Sequence, residues 1–473
     1  MTFLFVLFHI YFVSFLDKPE KTAPQLSPRA VEQRAKWNIQ TDGMDYPVSP
    51  MYINQLSKLG VKVHHVSRWF NGVTVEMDEK QAAKVADLKF VTDVEMTRDN
   101  TTPRTDLYVK RRMKEMNLEA SAATNYTDEQ LALYNLTPLH DAGYDGQGIL
   151  MAICDGGFYN AQTIQCFRQD ELELGHFDFT DDTDDFYGST GAHGTACLSA
   201  ISGIAEGYYG AATKAEYYLM RSEEADTESP KEMDNLVAAL EKADSLGVNV
   251  FSVSLGYALF DNDDWTLDKS ELDGKSTRAS LAATIAARKG ILVCVAAGNE
   301  GDDSWQTISV PADADSILTV GAVNTSGRIA AFSSYGPSAD DRVKPDVCAV
   351  GVSTALINPY GGIVRNNGTS FATPLLAGLA ATLWSALPDE NAMQIRERIL
   401  RSSDRYTNPD EQRYGYGIPD AWKAYTMKLP TGLNGEADAA LGDEIQCRKI
   451  LRGDQILIIR HGHIYNLAGQ VIE

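Results

Sequence analysis

The stretch from about residue 130 to 427 predicts an α/β fold, a doubly wound and mostly parallel sheet, with a ferredoxin-like α+β unit before it and a short β tail after it. Three observations carry this. The runs GILMAICD, AEYYLM, VNVFSVSLG and ILVCVAAGN are almost continuously apolar, as parallel strands buried on both faces are. Between them lie amphipathic segments, MDNLVAALEKADSLG and STRASLAATIAARKG, that end in glycine as crossover helices do. Upstream, residues 9–97 read strand, helix, strand, strand, helix, strand, the βαββαβ order of a ferredoxin-like unit.

Taken in order, HIYFVSFL is rich in aromatic and β-branched residues and reads as the first strand. The run TFLFVLFHIYFVSFL that contains it is too short and too interrupted by His9 and Ser14 to span a membrane. It lacks the basic start and small-residue cleavage site of a signal peptide, so the first residues read as the remnant of a longer leader. SPMYINQLSKLG and DEKQAAKVADL supply the two helices, and VKVHHVS, GVTVEM and KFVTDVE the remaining strands, giving a unit over 1–97. Residues 98–129 are polar, carry two basic clusters and read as an exposed, cleavable linker. The α/β domain occupies 130–427. Residues 428–473 open with the breaker-rich LPTGLNGEADAALGDE and close with short strands, too little for a stable domain.

A length of 473 residues suits roughly three folding units. A net charge of −23 repels phosphate backbones, which excludes nucleic acid as the expected partner. The six cysteines, at 154, 166, 197, 294, 348 and 447, form no CxxC pair, so neither a zinc site nor a disulfide framework is expected. Cys154 and Cys294 lie inside apolar strands, where a thiol acts as a small buried hydrophobe.

Four segments bring reactive side chains next to glycine. AICDGGF sets Asp155 at the carboxyl end of a strand, where sites of open α/β sheets lie. GAHGTACLSAISG sets His193 between a loop and a helical run, with Gly194 permitting close backbone approach. NGTSFATPLLAGLAATLW sets Ser370 at the opening of an apolar helix, with Pro374 expected in its first turn. VCVAAGNEG sets Asn299 at a strand end. Singly, each has an ordinary structural reading as a turn former, a surface residue or a helix cap. Jointly they match acyl transfer, in which serine needs a base, the base needs a carboxylate to hold its tautomer, and donors must face the oxyanion.

With HGT at 193–195, AAGN at 296–299 and GTSFATP at 368–374 in the order Asp, His, Asn, Ser, the chain resembles the subtilisin-like serine proteases. The resemblance covers about 130–427. It implies triad roles for Asp155, His193 and Ser370, an oxyanion role for Asn299, and a substrate-binding strand end at Ser254, Leu255 and Gly256. One departure is Gly156, where the family commonly has Ser, Thr or Ala. Flanking stretches such as PADADSILTVGAV and FSSYGPSADDRVKPDV look like secreted subtilases of Bacteroidota. In that context the 9–97 unit resembles an inhibitory, chaperone-like prosegment, and the tail resembles a sorting signal read by the type IX secretion system. The implied protein is a secreted or cell-surface endopeptidase made as a zymogen. Its partners would be polypeptide substrates, its own prosegment and, through the tail, secretion machinery.

No cofactor is required by this reading. Calcium is common in subtilases, so a structural Ca²⁺ is compatible with it, but DFTDDTDDF at 178–186 and FDNDDW at 260–265 lack recognisable ligand spacing and read as solvated acidic loops. His64 and His65 are adjacent on a strand and face opposite sides, which argues against a shared metal and leaves a pH-sensing role in prosegment release as the functional alternative. Two other functions fit the sequence less well. A catalytically silent binding module of the same fold would have no chemical reason to keep all four reacting groups. A lipase of the α/β-hydrolase type would carry a GxSxG elbow, with the serine before its acid and its histidine.

Overall fold

The computed structural model describes residues 7–20, 22–101, 118–119, 125–180, 185–188, 191–224, 227–430, 448–452, 455–460 and 463–465. The N-terminal unit runs β1 (His9–Phe15), helices Pro28–Lys36 and Pro50–Lys58, β2 (Lys62–Ser67), β3 (Gly72–Met77), helix Glu79–Ala86 and β4 (Val91–Arg98). Its sheet has the order β2-β3-β1-β4 with every pair antiparallel, the ferredoxin-like arrangement. Alternate residues of the central strands, Tyr11, Val13 and Phe15 with Val73, Val75 and Met77, close over Leu56 and Val85. Helix Glu79–Ala86 starts where expected because Asp78 and Gln81 form a reciprocal capping box. Helix Pro28–Lys36 was not anticipated. Its residues are mostly polar, and it stands because Ser27 caps it, Pro28 opens it and Ser27 also binds the Leu246 carbonyl 219 residues away. Of the expected linker, 102–117 and 120–124 lie outside the described residues.

The α/β region adds β5 (Leu118–Glu119), β6 (Leu150–Asp155), β7 (Glu173–Asp178), β8 (Ile204–Ala205), β9 (Tyr208–Tyr209), β10 (Glu216–Arg221), β11 (Val250–Val253), β12 (Leu292–Ala296), β13 (Leu318–Val323), β14 (Val347–Val350), β15 (Thr354–Ile357) and β16 (Ile363–Asn366). Among the described residues the main sheet has seven parallel strands in the order β14-β13-β12-β11-β6-β10-β7. The four central strands, β6, β10, β11 and β12, each feed two cores. Met151, Ile153, Leu219, Leu292 and Val320 face helices His193–Ser202 and Thr369–Ala386, while Ala152, Cys154, Met220, Phe251 and Val295 face helices Lys231–Leu246 and Arg278–Arg288. Both cores are built from buried apolar side chains, so the four strands legible from sequence are mostly apolar between their ends. Strand β7 escaped that reading because it is a partly exposed edge, and β13 and β14 because only loops separate them from their neighbours.

Strands β17 (Arg448–Arg452), β18 (Gln455–Arg460) and β19 (His463–Tyr465) form an antiparallel three-stranded sheet in a separate compact unit, the small β element expected of the tail. No helix among the described residues is long and apolar enough to cross a membrane.

Candidate active site

The sheet order reverses at β6, whose neighbours are β11 on one side and β10 on the other, and the carboxyl end of such a strand opens onto a crevice. Asp155 ends β6 there and is fully buried. Its carboxylate accepts from the Gly156 N–H at 2.7 Å and from Nδ1 of His193 at 2.8 and 3.0 Å. His193 is the first residue of its helix, and Gly194 lets that helix approach: a Cβ there would sit 2.6 Å from the Gly157 carbonyl oxygen and 2.9 Å from the Asp155 Cβ. This is the close contact the sequence suggested for Gly194. Gly156 supplies a main-chain N–H to the carboxylate at the position where the family commonly carries a side chain.

Ser370 is the second residue of helix Thr369–Ala386 and is buried. Its hydroxyl makes a long contact, 3.4 Å, to the Ser254 carbonyl oxygen. The Ser254 hydroxyl in turn donates to the Ser370 carbonyl oxygen at 2.8 Å. Cys197, one turn after His193, lies 3.8 Å from Nδ1 of His193 and 3.4 Å from the Ser370 carbonyl oxygen, so the histidine and serine helices meet at this thiol. The His193 and Phe371 rings pack at 5.3 Å between centroids. Burial pushes the Cys197 thiol up to about 12, which keeps it protonated at neutral pH. Asn299 follows β12, and its Oδ1 accepts from the N–H of Thr369 at 2.8 Å and from the Thr369 hydroxyl at 2.9 Å. That fixes which end of the amide donates, beside the first N–H groups of the serine helix.

Ser254 follows β11 directly, with Leu255 and Gly256 half-buried beyond it, and the next residue, Tyr257, bridges to Val310. The expectation for Pro374 needs correction. Helix Thr369–Ala386 already begins at Thr369, so Pro374 is inside it and not in its first turn.

Among the described residues one group of three or more potential metal ligands lies within 4.8 Å, and it is Asp155, His193 and Cys197 themselves. Residues 181–184 of the first acidic stretch lie outside the described residues, and its Asp178 pairs with Arg221 at 2.9 Å. In the second stretch Asn262 caps the short turn Asp263–Trp265. His64 lies 3.3 Å from Glu76, whereas His65 faces the α/β domain, the opposite-face arrangement expected of neighbours on a strand.

Sequence reasoning missed the polar seam between the N-terminal unit and helix Lys231–Leu246. Arg34 binds Asp45 at 2.8 Å and both oxygens of Asp244 at 2.8 and 2.7 Å, all three residues buried. Arg68 also reaches Asp244 at 2.7 Å, and Lys289 reaches Asp45 at 2.7 Å. Burial works to raise the Asp45 carboxyl, but hydrogen bonds from Arg34 and Lys289 outweigh it and hold it at about 2. Glu241 accepts from the Ser67 hydroxyl at 2.6 Å and from the main-chain N–H groups of Arg68 and Trp69 at 3.0 and 3.2 Å. Arg98 at the end of β4 pairs with Glu224 beyond β10. A charged residue read in isolation looks solvated, and the partners that join the N-terminal unit to the α/β domain lie more than a hundred residues apart, so no local signal revealed them.

Residues 146–417, more than half of the chain, match the model of the subtilase family, and residues 10–114 match that of the peptidase S8 propeptide domain of Bacteroidota. The chain is 31% identical over 285 residues to subtilisin NAT of Bacillus subtilis subsp. natto, a match covering 59% of this chain and 66% of that protein. It is 29% identical over 308 residues to serine protease AprX of Bacillus subtilis (strain 168), covering 58% and 66%. These matches span just under two thirds of the relatives' own length. The crystal structure of MycP1 from Mycobacterium smegmatis superposes with a TM-score of 0.54 at 21% identity, over 69% of this chain and 92% of that one, a likeness of fold alone.

Proposed function

Because the chain belongs to the subtilase family and carries the propeptide domain of its Bacteroidota members, we propose that it is a serine endopeptidase made as a zymogen. One observation supports this above the others: Asp155, His193, Asn299 and Ser370, from four separate segments, converge at the carboxyl end of the central strands. With its Nδ1 proton donated to Asp155, His193 keeps Nε2 as the base that takes the Ser370 hydroxyl proton. The serine oxygen attacks the peptide carbonyl, and Asn299 with the first N–H groups of the serine helix stabilises the tetrahedral oxyanion. His193 then protonates the leaving amine, and water repeats the sequence to release the acid. Leu255 and Gly256, continuing from Ser254, would pair with the substrate backbone as an added strand.

The N-terminal unit would act as inhibitor until cleavage within about 98–129. The tail would serve as an export signal, with the enzyme acting outside the cell. A fluorophosphonate is expected to label the processed wild type and not Ser370→Ala, which should stay full length when expressed alone. Labelling of Ser370→Ala, or peptide hydrolysis by it, would reject the assignment. A chain ending near residue 430 should keep its peptidase activity yet fail to leave its host cell; normal export would remove the sorting role.

A further inference from the structure

The serine helix contains an internal break that the rest of the site repairs. In an α-helix the carbonyl of residue i accepts from the N–H of residue i+4. For Ser370 that residue is Pro374, which has no N–H, and Pro374 lies inside the helix. The Ser370 carbonyl thus loses its helical partner in the residue that carries the nucleophile. A buried carbonyl left without a donor is costly, and two donors from other elements reach this one: the Ser254 hydroxyl at 2.8 Å and the Cys197 thiol at 3.4 Å. Both are buried, and the thiol stays protonated because burial holds it at about 12. The Nδ1 proton of His193 goes to Asp155, which leaves the single proton of Cys197 for the Ser370 carbonyl.

We propose that Ser254 and Cys197 are positioning residues for the nucleophile: they replace the helical hydrogen bond that Pro374 removes and tie the Ser370 main chain to the end of β11 and to the His193 helix. This role for Ser254 is separate from lining the substrate crevice. It rests on Ser370 being the nucleophile. Catalysis is sensitive to such tethers because a displacement of about 1 Å at a reacting group can cost about 100-fold in rate. Cys197 contributes the weaker of the two bonds, since a thiol is a poor donor.

The test is a double-mutant cycle in the full chain, read as kcat and KM of the processed enzyme on a chromogenic peptide. Ser254→Ala is expected to lower kcat about 10- to 100-fold with KM nearly constant. Cys197→Ala should lower it less, and more once Ser254 is gone. Pro374→Ala returns an N–H to the helix, so in that background Ser254→Ala should cost no more than about three-fold, a coupling that independent sites do not show. Equal losses in the two backgrounds would overturn the proposal, as would a rise in KM at constant kcat. Should Ser254→Ala alone yield no folded protein, recovery of processed, active enzyme in Ser254→Ala/Pro374→Ala supports the tether, and its failure to recover overturns it. A wild type that resists fluorophosphonate would instead break the reading of Ser370, so the two failures are distinguishable.

Discussion

Acid should loosen the N-terminal unit from the protease, and His65 is the group through which the effect can be sized. Its Nε2 lies 2.8 Å from the Phe179 carbonyl oxygen and 3.0 Å from Oδ1 of Asn235, two acceptors, so the neutral ring donates to both. Burial against the protease disfavours the cation and pushes His65 down to about 4, outweighing the upward pull of those two bonds. Lys231 and His64 add repulsion, though Lys231 is itself paired with Glu224. The docked complex therefore binds fewer protons than the separated unit, whose histidine titrates at about 6.5. Binding is unaffected above that value, weakens as pH falls through 6.5, and keeps weakening to about 4. At pH 5 the free unit is protonated to a ratio of about 30 and the complex to about 0.1, so affinity should drop about 30-fold relative to pH 8. The assay is inhibition of the processed enzyme by the separately added unit across that range, wild type against His65→Gln, which keeps a donor and cannot be charged. Glu241, raised by burial, also faces this interface, and its contribution is common to both proteins. An identical pH dependence in wild type and His65→Gln would refute the argument.

Asn299→Ala should lower kcat by about 100- to 1000-fold with little change in KM, the cost of one oxyanion donor; a matching rise in KM would indicate ground-state binding instead. Asp244→Ala removes the carboxylate that Arg34 and Arg68 share, leaving Arg34 with Asp45 and Arg68 with Glu241, and should weaken inhibition by the added unit by about 1.5–3 kcal/mol, measured as an inhibition constant, while peptidase activity stays at the wild-type level. Mercurials should slow the enzyme by crowding His193 through Cys197, and Cys197→Ser should keep most activity while losing that sensitivity; a wild type indifferent to mercurials would contradict the 3.8 Å contact.

The order of elements was legible from the chain because burial on both faces leaves few polar positions inside a central strand, and β6, β10, β11 and β12 are mostly apolar between their ends. The candidate site residues were legible for a related reason: each lies within two residues of a glycine where backbone comes close, so the motif is local even though the site is not. The sequence by itself thus determined which central elements form and which side chains are candidates for the chemistry. Tertiary structure alone decided the rest. The His193–Asp155 bond, the Cys197 contact between the helices of His193 and Ser370 and the Ser254 donor to the Ser370 carbonyl all join residues brought together by the order of strands in the sheet. The charged seam that holds Arg34, Arg68, Glu241 and Asp244 depends on desolvation, and a one-dimensional reading assigns such residues to water. Hydrophobic periodicity is a property of one segment, whereas the pairing of buried polar groups is a property of two surfaces that the chain creates only when it folds.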